Sequence, residues 1–521
     1  MSKTDEHFST MIQDTAKGSA ILIIGQMAST AISAIGAIIV ARLLGSTSFG
    51  LIAIATIPVN IALMSLNNGI RPAIINYIVE NRVKGNDEKI ISTVLAGFII
   101  NLSIGLAATF VLYFLSGILS NQVFNNPELT QLIQIQSLMV IATAINSTAT
   151  GVLIGLERMA QNSYVTILYS LLKTILGPTL IFLGFGVIGA SYGTSIPYLL
   201  AGLFAVFLVY INLGKIGKTV FPTINDFKNL ISYASPLFVS SLISGSMNQV
   251  LNFLLPFYVT ASLIGNYSAA ISFTVLISFF LTPISTATFP LLSKLKPEDS
   301  VFEMVYQSII KYETLVAYPV SAAVIALSSR MVEILYGGDY AYTSLYVQVL
   351  MLGYLFIGFG TTVTGTLLNS QKQNKIILRW TLIYLAIGIP LGFLLIPRYG
   401  ILGFQATTII APKVGYLYAQ WWVRKNMHIK LDIENTLKIL VSTIIGYTAC
   451  QTVLWLVNLN PWLELILGGT ALVTTYLISI MLTGALSTKN IKDIKSITDR
   501  YKPSRWILEP IFTQLLRIAK E

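Results

Sequence analysis

The chain has 521 residues, of which 54% are hydrophobic and only 11% charged, with a mean hydropathy of +0.74. No soluble domain of this size is so apolar, so the sequence specifies an all-α, polytopic membrane protein. One cysteine, Cys450, excludes a disulfide framework and a thiolate metal cluster, and His7 and His428 lie outside the apolar runs, which argues against histidine chemistry in the membrane.

In chain order, residues 1–18 form a polar N-terminal segment with Asp5, Glu6 and Asp14 and no small-residue cleavage site, so the first apolar run reads as a retained span. A span needs about 20 apolar residues. That count predicts about fourteen, centred near Ala31, Val59, Ile104, Ala142, Ser170, Leu200, Ser244, Phe279, Ser321, Leu355, Tyr384, Thr407, Tyr447 and Ala471. The first six make an N-lobe over 19–215 and the next six a C-lobe over 230–425; two extra helices occupy 436–486. From Lys489 to Glu521, Ile491, Ile494 and Ile497 and then Trp506, Phe512 and Leu516 alternate with basic residues; residues 487–521 are expected to lie as amphipathic basic helices on the inner leaflet. The net charge of +11 therefore points to a membrane surface and not to nucleic acid. With the N-terminus in the cytoplasm, inside segments hold nearly all the lysines and outside segments only Arg42, Arg330 and Arg398, which sets a multi-pass topology with both termini cytoplasmic.

The two lobes are predicted from an internal repeat. Thr150-Gly151-Val152-Leu153 matches Thr364-Gly365-Thr366-Leu367, and Gly186-Val187-Ile188-Gly189 matches Gly400-Ile401-Leu402-Gly403, both at an offset of 214 residues. Ser48-Phe49-Gly50-Leu51 matches Leu263-Ile264-Gly265-Asn266 at 215. A long period in an apolar chain is a signature of transporters built from two related bundles.

Ionisable groups within spans usually face a cavity or a partner. Lys173 lies about ten residues into its span, Lys413 follows Pro412 in the twelfth, and Arg71 precedes Pro72 toward the inner end of the second; Arg42 caps the first on the outer side. Cations with a fork-shaped arginine suit an anionic, phosphate-bearing ligand, whereas the bland alternative is that each satisfies local carbonyls. Gln26, Ser29, Thr30 and Ser33, and in the seventh span Ser241, Ser244, Asn248 and Asn252, recur on single helical faces. Such faces line a wet cavity that bonds sugar hydroxyls, or else they bind helices together. Gln26, Ser33, Asn248 and Asn252 thus join Arg42, Arg71, Lys173 and Lys413 as substrate-binding candidates. Glu157, Glu313, Glu333, Asp339 and Glu464 are expected at span ends or in loops, so no buried acid for ion coupling is expected. There is no phosphate-cradling loop, no metal set and no outer loop large enough for an enzyme site, and no cofactor is expected.

Val40-Ala41-Arg42-Leu43-Leu44-Gly45 with Phe49-Gly50, Glu333 to Tyr340 with its Gly337-Gly338-Asp339 turn, and the two glycine turns at Gly186 and Gly400 together resemble polysaccharide flippases of the multidrug/oligosaccharidyl-lipid/polysaccharide exporter superfamily, over about residues 15–425. The resemblance implies two six-span lobes that rock about a central cationic cavity and translocate a lipid-linked oligosaccharide. Membrane lipids, and a glycan polymerase or glycosyltransferases, would be the partners. Arg42 matches the family's cationic position by motif; Lys173 and Lys413 match none. The lack of a membrane-embedded acid separates the chain from the drug-exporting branch. Two extra spans are shared with lipid II flippases, which leaves the substrate branch open.

Overall fold

A computed structural model of the chain describes residues 3–67, 69–214, 220–297, 299–457 and 459–486. The expected amphipathic tail at 487–521 lies outside the described residues, as do Lys215 and Lys218. Every regular element described is helical, and the chain divides into two units.

The first unit comprises Met1–Val275 and Leu385–Thr408. It contains α1 (Lys3–Asn67), α2 (Ile70–Val83), α3 (Asp87–Ile118), α4 (Leu129–Gly155), α5 (Met159–Leu180), α6 (Gly186–Leu213), α7 (Ile224–Leu254) and α8 (Ala261–Ser272). It therefore holds the whole first sequence copy together with α7, α8 and Leu385–Thr408 from the second. Small residues let the helices approach closely, as they must where lipid gives no hydrophobic drive to pack. Gly25 and Gly36 of α1 lie against Ser163 and Thr174 of α5, and Thr174 Oγ1 donates to Ile32 O at 2.9 Å. An apolar cluster of Ile74, Ile78, Ile90, Leu153 and Leu230 joins α2, α3, α4 and α7. At its polar edge Lys89 Nζ meets the buried Asp226 at 3.0 Å.

The repeat is visible as geometry. Gly186 has φ 50, ψ −130 and Gly400 has φ 56, ψ −128, so equivalent glycines hold the same left-handed backbone, one that a Cβ would strain. Gly50 and Gly265, aligned by the repeat, touch each other: a Cβ on Gly50 would stand 1.7 Å from Ala261 O and 3.0 Å from Gly265 N, and one on Gly265 would stand 1.9 Å from Ser46 O. Ser46 Oγ and Ser262 Oγ close the crossing at 2.8 Å.

The second unit comprises Leu276–Tyr384 and Ile409–Glu521. Most of α9 (Thr274–Lys294) enters it, followed by α10 (Ser300–Leu335), α11 (Thr343–Tyr354), α12 (Val363–Ser370), the two ends of α13 (Asn374–Asn426), α14 (Ile433–Leu456) and α15 (Pro461–Leu482). α11 and its 3-10 extension are bent by 48° from α12 at Gly360, which has φ 82. The extra pair α14 and α15 packs on α10 through Tyr476 OH donating to Leu315 O at 2.9 Å and through Arg330 bonded to the buried Glu464 at 2.5 Å.

By length and composition, ten helices of the described residues can cross a membrane, or eleven when the bent pair is counted as one span. Three of these runs, of 45, 55 and 53 residues, far exceed a bilayer. Each carries two of the expected span centres and is interrupted by non-helical glycine, at Gly45, Gly184 and Gly400 respectively. The expected fourteen is reached only when the bent pair is counted as one span and each of the three runs as two. Trp421, Trp455 and Trp462 are exposed, as interfacial anchors are.

Candidate functional site

The first unit encloses a cavity of about 560 Å³. One wall is the polar face of α1. Gln26, Ser29, Thr30 and Ser33 all line the cavity, backed by Ala34 and Ala37. Some of these groups also join helices: Ser29 Oγ donates to Thr166 O at 3.3 Å, and Ser33 Oγ donates to Ser170 Oγ at 3.0 Å. The serines thus tie α1 to α5 while lining the cavity, and Gln26 is exposed.

Much of the remaining lining comes from helices more than a hundred residues away in sequence. α5 contributes Asn162, Thr166 and Tyr169, α4 contributes Asn146 and Thr150, and α6 contributes Tyr198. The rings of Tyr169 and Tyr198 meet edge to face, with centroids 4.7 Å apart. Asn162, Thr166 and Tyr169 follow i, i+4, i+7, the same spacing that marks the α1 face, and that is the signal by which the sequence could have revealed them.

Arg71 is the one charged residue in this lining. α2 begins at Ile70, so Arg71 and Pro72 fall in its first turn, where a proline removes no helical hydrogen bond. The arginine stem lies along Gly151, where a Cβ would be 3.1 Å from Arg71 Cγ. The glycine of the repeated Thr-Gly motif thus makes room for the arginine stem. Arg71 Nε is buried with no hydrogen-bond partner, and so is the acceptor Asn162 Oδ1. A buried donor on a cation without a partner is costly, and among the described residues no carboxylate lines the cavity to satisfy it. The arrangement sets an unpartnered guanidinium donor among hydroxyls, amides and two aromatic rings.

The other candidates lie elsewhere. Lys173 is not among the lining residues; its Nζ sits over the ring of Tyr169, 5.8 Å from the centroid. Arg42 is exposed on α1, three residues before the Gly45 break, and is not in the lining. Asn248 is exposed and Asn252 half-buried on α7, also outside the lining. Lys413 belongs to the second unit, 5.1 Å from the Phe356 ring, on a helix that runs through Pro412. Among the described residues no group of three or more histidine, cysteine or acidic side chains is arranged to hold a metal ion.

The family model described as "Polysaccharide biosynthesis protein" matches residues 15–296, more than half of the chain and all of the cavity lining. The chain belongs to the polysaccharide biosynthesis protein family. Relatives include a "Probable flippase AglR" of Haloferax volcanii, 26% identical over 52% of this chain and 56% of its own length. A "Probable low-salt glycan biosynthesis flippase Agl15" of the same organism is 22% identical over 55% of this chain and 62% of its own length. The chain thus spans less than two thirds of these relatives. In fold it is similar to "Lipid II flippase MurJ, inward closed conformation", with a TM-score of 0.73 and 21% identity over 89% of this chain and 98% of that one. A multidrug resistance MATE family transporter in an inward-facing conformation gives a TM-score of 0.65 with 19% identity, over 77% of this chain and 94% of that one. The chain is accordingly a multi-pass membrane protein whose fold is similar to that of these transporters.

Proposed function

We propose that the protein is a flippase that moves a polyprenyl-(pyro)phosphate-linked oligosaccharide from the cytoplasmic to the outer leaflet, for surface polysaccharide or glycoprotein glycan assembly. The observation that carries this reading is the buried, unpartnered Arg71 Nε in a cavity without a carboxylate. Arg71 would hold the phosphate, since a guanidinium fork matches its oxygens. Gln26, Ser33, Asn162 and the two tyrosines would hold the sugars by hydrogen bonds and ring stacking, while the polyprenyl tail stays in the bilayer. The two sequence copies, 19–215 and 230–425, would act as the lobes that alternate access, with both termini cytoplasmic. Arg42, Lys173 and Lys413 would steer the anion toward or away from the socket from positions outside it.

A lipid II-type flippase is the second reading, favoured by the fold likeness over 89% of this chain. A cation-coupled drug exporter is a poorer fit, because a cavity whose charged lining is Arg71 repels cationic drugs. The test is genetic depletion followed by lipid extraction. Accumulation of a lipid-linked oligosaccharide with loss of surface glycan supports the reading, and the sugar composition names the substrate. Unchanged glycan with new sensitivity to amphipathic cations overturns it in favour of drug export.

A further inference from the structure

Three acidic side chains are buried among the described residues: Asp226, Glu464 and Glu313. The first two have cations, Lys89 at 3.0 Å and Arg330 at 2.5 Å. Glu313 does not. It is 1% exposed, and among the described residues no lysine or arginine nitrogen pairs with it. Its two oxygens accept from hydroxyls alone, Oε1 from Ser285 Oγ at 3.2 Å and Oε2 from Thr362 Oγ1. Apolar run length predicts a span end at Glu313, but the residue is buried within α10. It stands eight residues from Ser321, the expected span centre, which is about 12 Å of helix and within the half-thickness of about 15 Å of the hydrocarbon layer.

The surrounding groups supply no counter-charge. On α10, Tyr306 is bonded to Thr364 and Gln420, and Tyr318 to Leu355 O. Tyr416 of α13 is bonded to Phe359 O, and Tyr476 of α15 to Leu315 O. The charged residues nearby are Lys311 on α10, which interacts with Asp432 and Lys438, and Lys438 is itself bonded to Glu434. α9 presents Ser285 here, with Lys294 in its last turn, and α12 presents Thr362.

A buried carboxylate without a cation is expensive to keep ionised. Hydroxyl partners differ from a lysine or arginine in one respect that matters: each can donate to a carboxylate or accept from a carboxylic acid. The site therefore bonds Glu313 in either protonation state. It also sits on a hinge, because Thr362 immediately precedes α12, just after the bend at Gly360. We propose that Glu313 is a reversible proton-binding site through which protons couple to transport. Proton uptake from water converts the carboxylate to a neutral acid, reverses one of the two hydrogen bonds, and changes the hold on the broken span; release restores it. The assignment rests on the chain being a transporter, but not on the identity of its lipid substrate.

The test is infrared difference spectroscopy of the full-length protein in lipid nanodiscs, titrated with pH and without any substrate. The expected result is a carboxylic acid carbonyl band that grows as pH falls and is missing in Glu313→Gln. Thr362→Val and Ser285→Ala, which each remove one hydrogen bond to the charged form, are expected to shift its midpoint by about tenfold or more in proton affinity. Spectra of wild type and Glu313→Gln that superimpose at every pH overturn the proposal. So does a midpoint unmoved by both hydroxyl variants, which covers the case where Glu313→Gln fails to fold. Flipping by Glu313→Gln that keeps the wild-type response to pH refutes proton coupling while leaving the flippase reading intact.

Discussion

The crossing of Gly50 and Gly265 makes the most demanding prediction about how the molecule moves. Gly50→Ala would put a Cβ 1.7 Å from Ala261 O, and Gly265→Ala would put one 1.9 Å from Ser46 O, where ordinary contact is 3.4–4 Å. The obstacle is backbone and not a side chain that can swing aside, so the helices must part by roughly 1.5 Å or more, at a cost of about 1–3 kcal/mol, the usual range for overpacking. If the closed crossing is one of two states, that cost shifts their balance about 5- to 150-fold. The assay uses Ser46→Cys with Ser262→Cys. The wild-type hydroxyls are 2.8 Å apart, and the only native cysteine, Cys450, is buried. Two sulfurs at such positions can bond without backbone movement. Oxidation, read by loss of labelling with a bulky maleimide, is expected to be fast in the double-cysteine protein and slower by about 5- to 150-fold when Gly50→Ala is added. The disulfide is also expected to stop export until a reductant is added. Equal cross-linking rates with and without Gly50→Ala, or full export by the cross-linked protein, would refute the reasoning.

Three further predictions address the socket and the repeat. Arg71→Ala is expected to weaken binding of the phosphate-bearing lipid by about tenfold to a hundredfold, the worth of hydrogen bonds to a charged group, with Arg71→Lys in between because it keeps charge but loses the fork; a lipid-binding titration on purified protein checks both. Gly151→Val should reproduce the Arg71→Ala defect in a folded protein, because the new side chain occupies the space of the Arg71 stem, and normal binding would show that the stem does not need that path. Gly186→Ala and Gly400→Ala should each destabilise by about 1–3 kcal/mol, since both force a Cβ into the same left-handed backbone, and thermal unfolding should show two losses of similar size.

Much of this fold was legible because apolar run length and glycine placement are written locally. The offset of 214–215 residues was seen as letters before Gly186 and Gly400 proved to share a backbone conformation and Gly50 and Gly265 proved to touch. At the turn after each copy of the Thr-Gly motif, letters and geometry differ by one residue. Glu157 and Lys372, 215 residues apart, take the left-handed conformation, whereas the motif itself repeats at 214. The α1 face and Arg71 were legible for the same local reason, a polar periodicity and a charge beside a proline in an apolar run. The far wall was not, because Asn162, Tyr169 and Tyr198 become a surface only when α5 and α6 fold back on α1. Aromatic and amide residues on an apolar helix look like packing until that happens. Lys173 shows the converse, since depth in a span singles it out, yet its ammonium lies over the Tyr169 ring and outside the lining. Glu313 was passed over because run-counting locates span ends poorly on a helix of 36 residues, longer than the bilayer is thick.

The central claim is that Arg71 makes the cavity a phosphate socket for a lipid-linked glycan. The direct measurement is translocation of a polyprenyl-pyrophosphate-linked oligosaccharide in reconstituted vesicles, read by a sugar-modifying enzyme added outside, for wild type and Arg71→Ala at equal protein incorporation. Rapid translocation by wild type with a loss of about tenfold or more in Arg71→Ala is the predicted result. Equal translocation by the two proteins would contradict it.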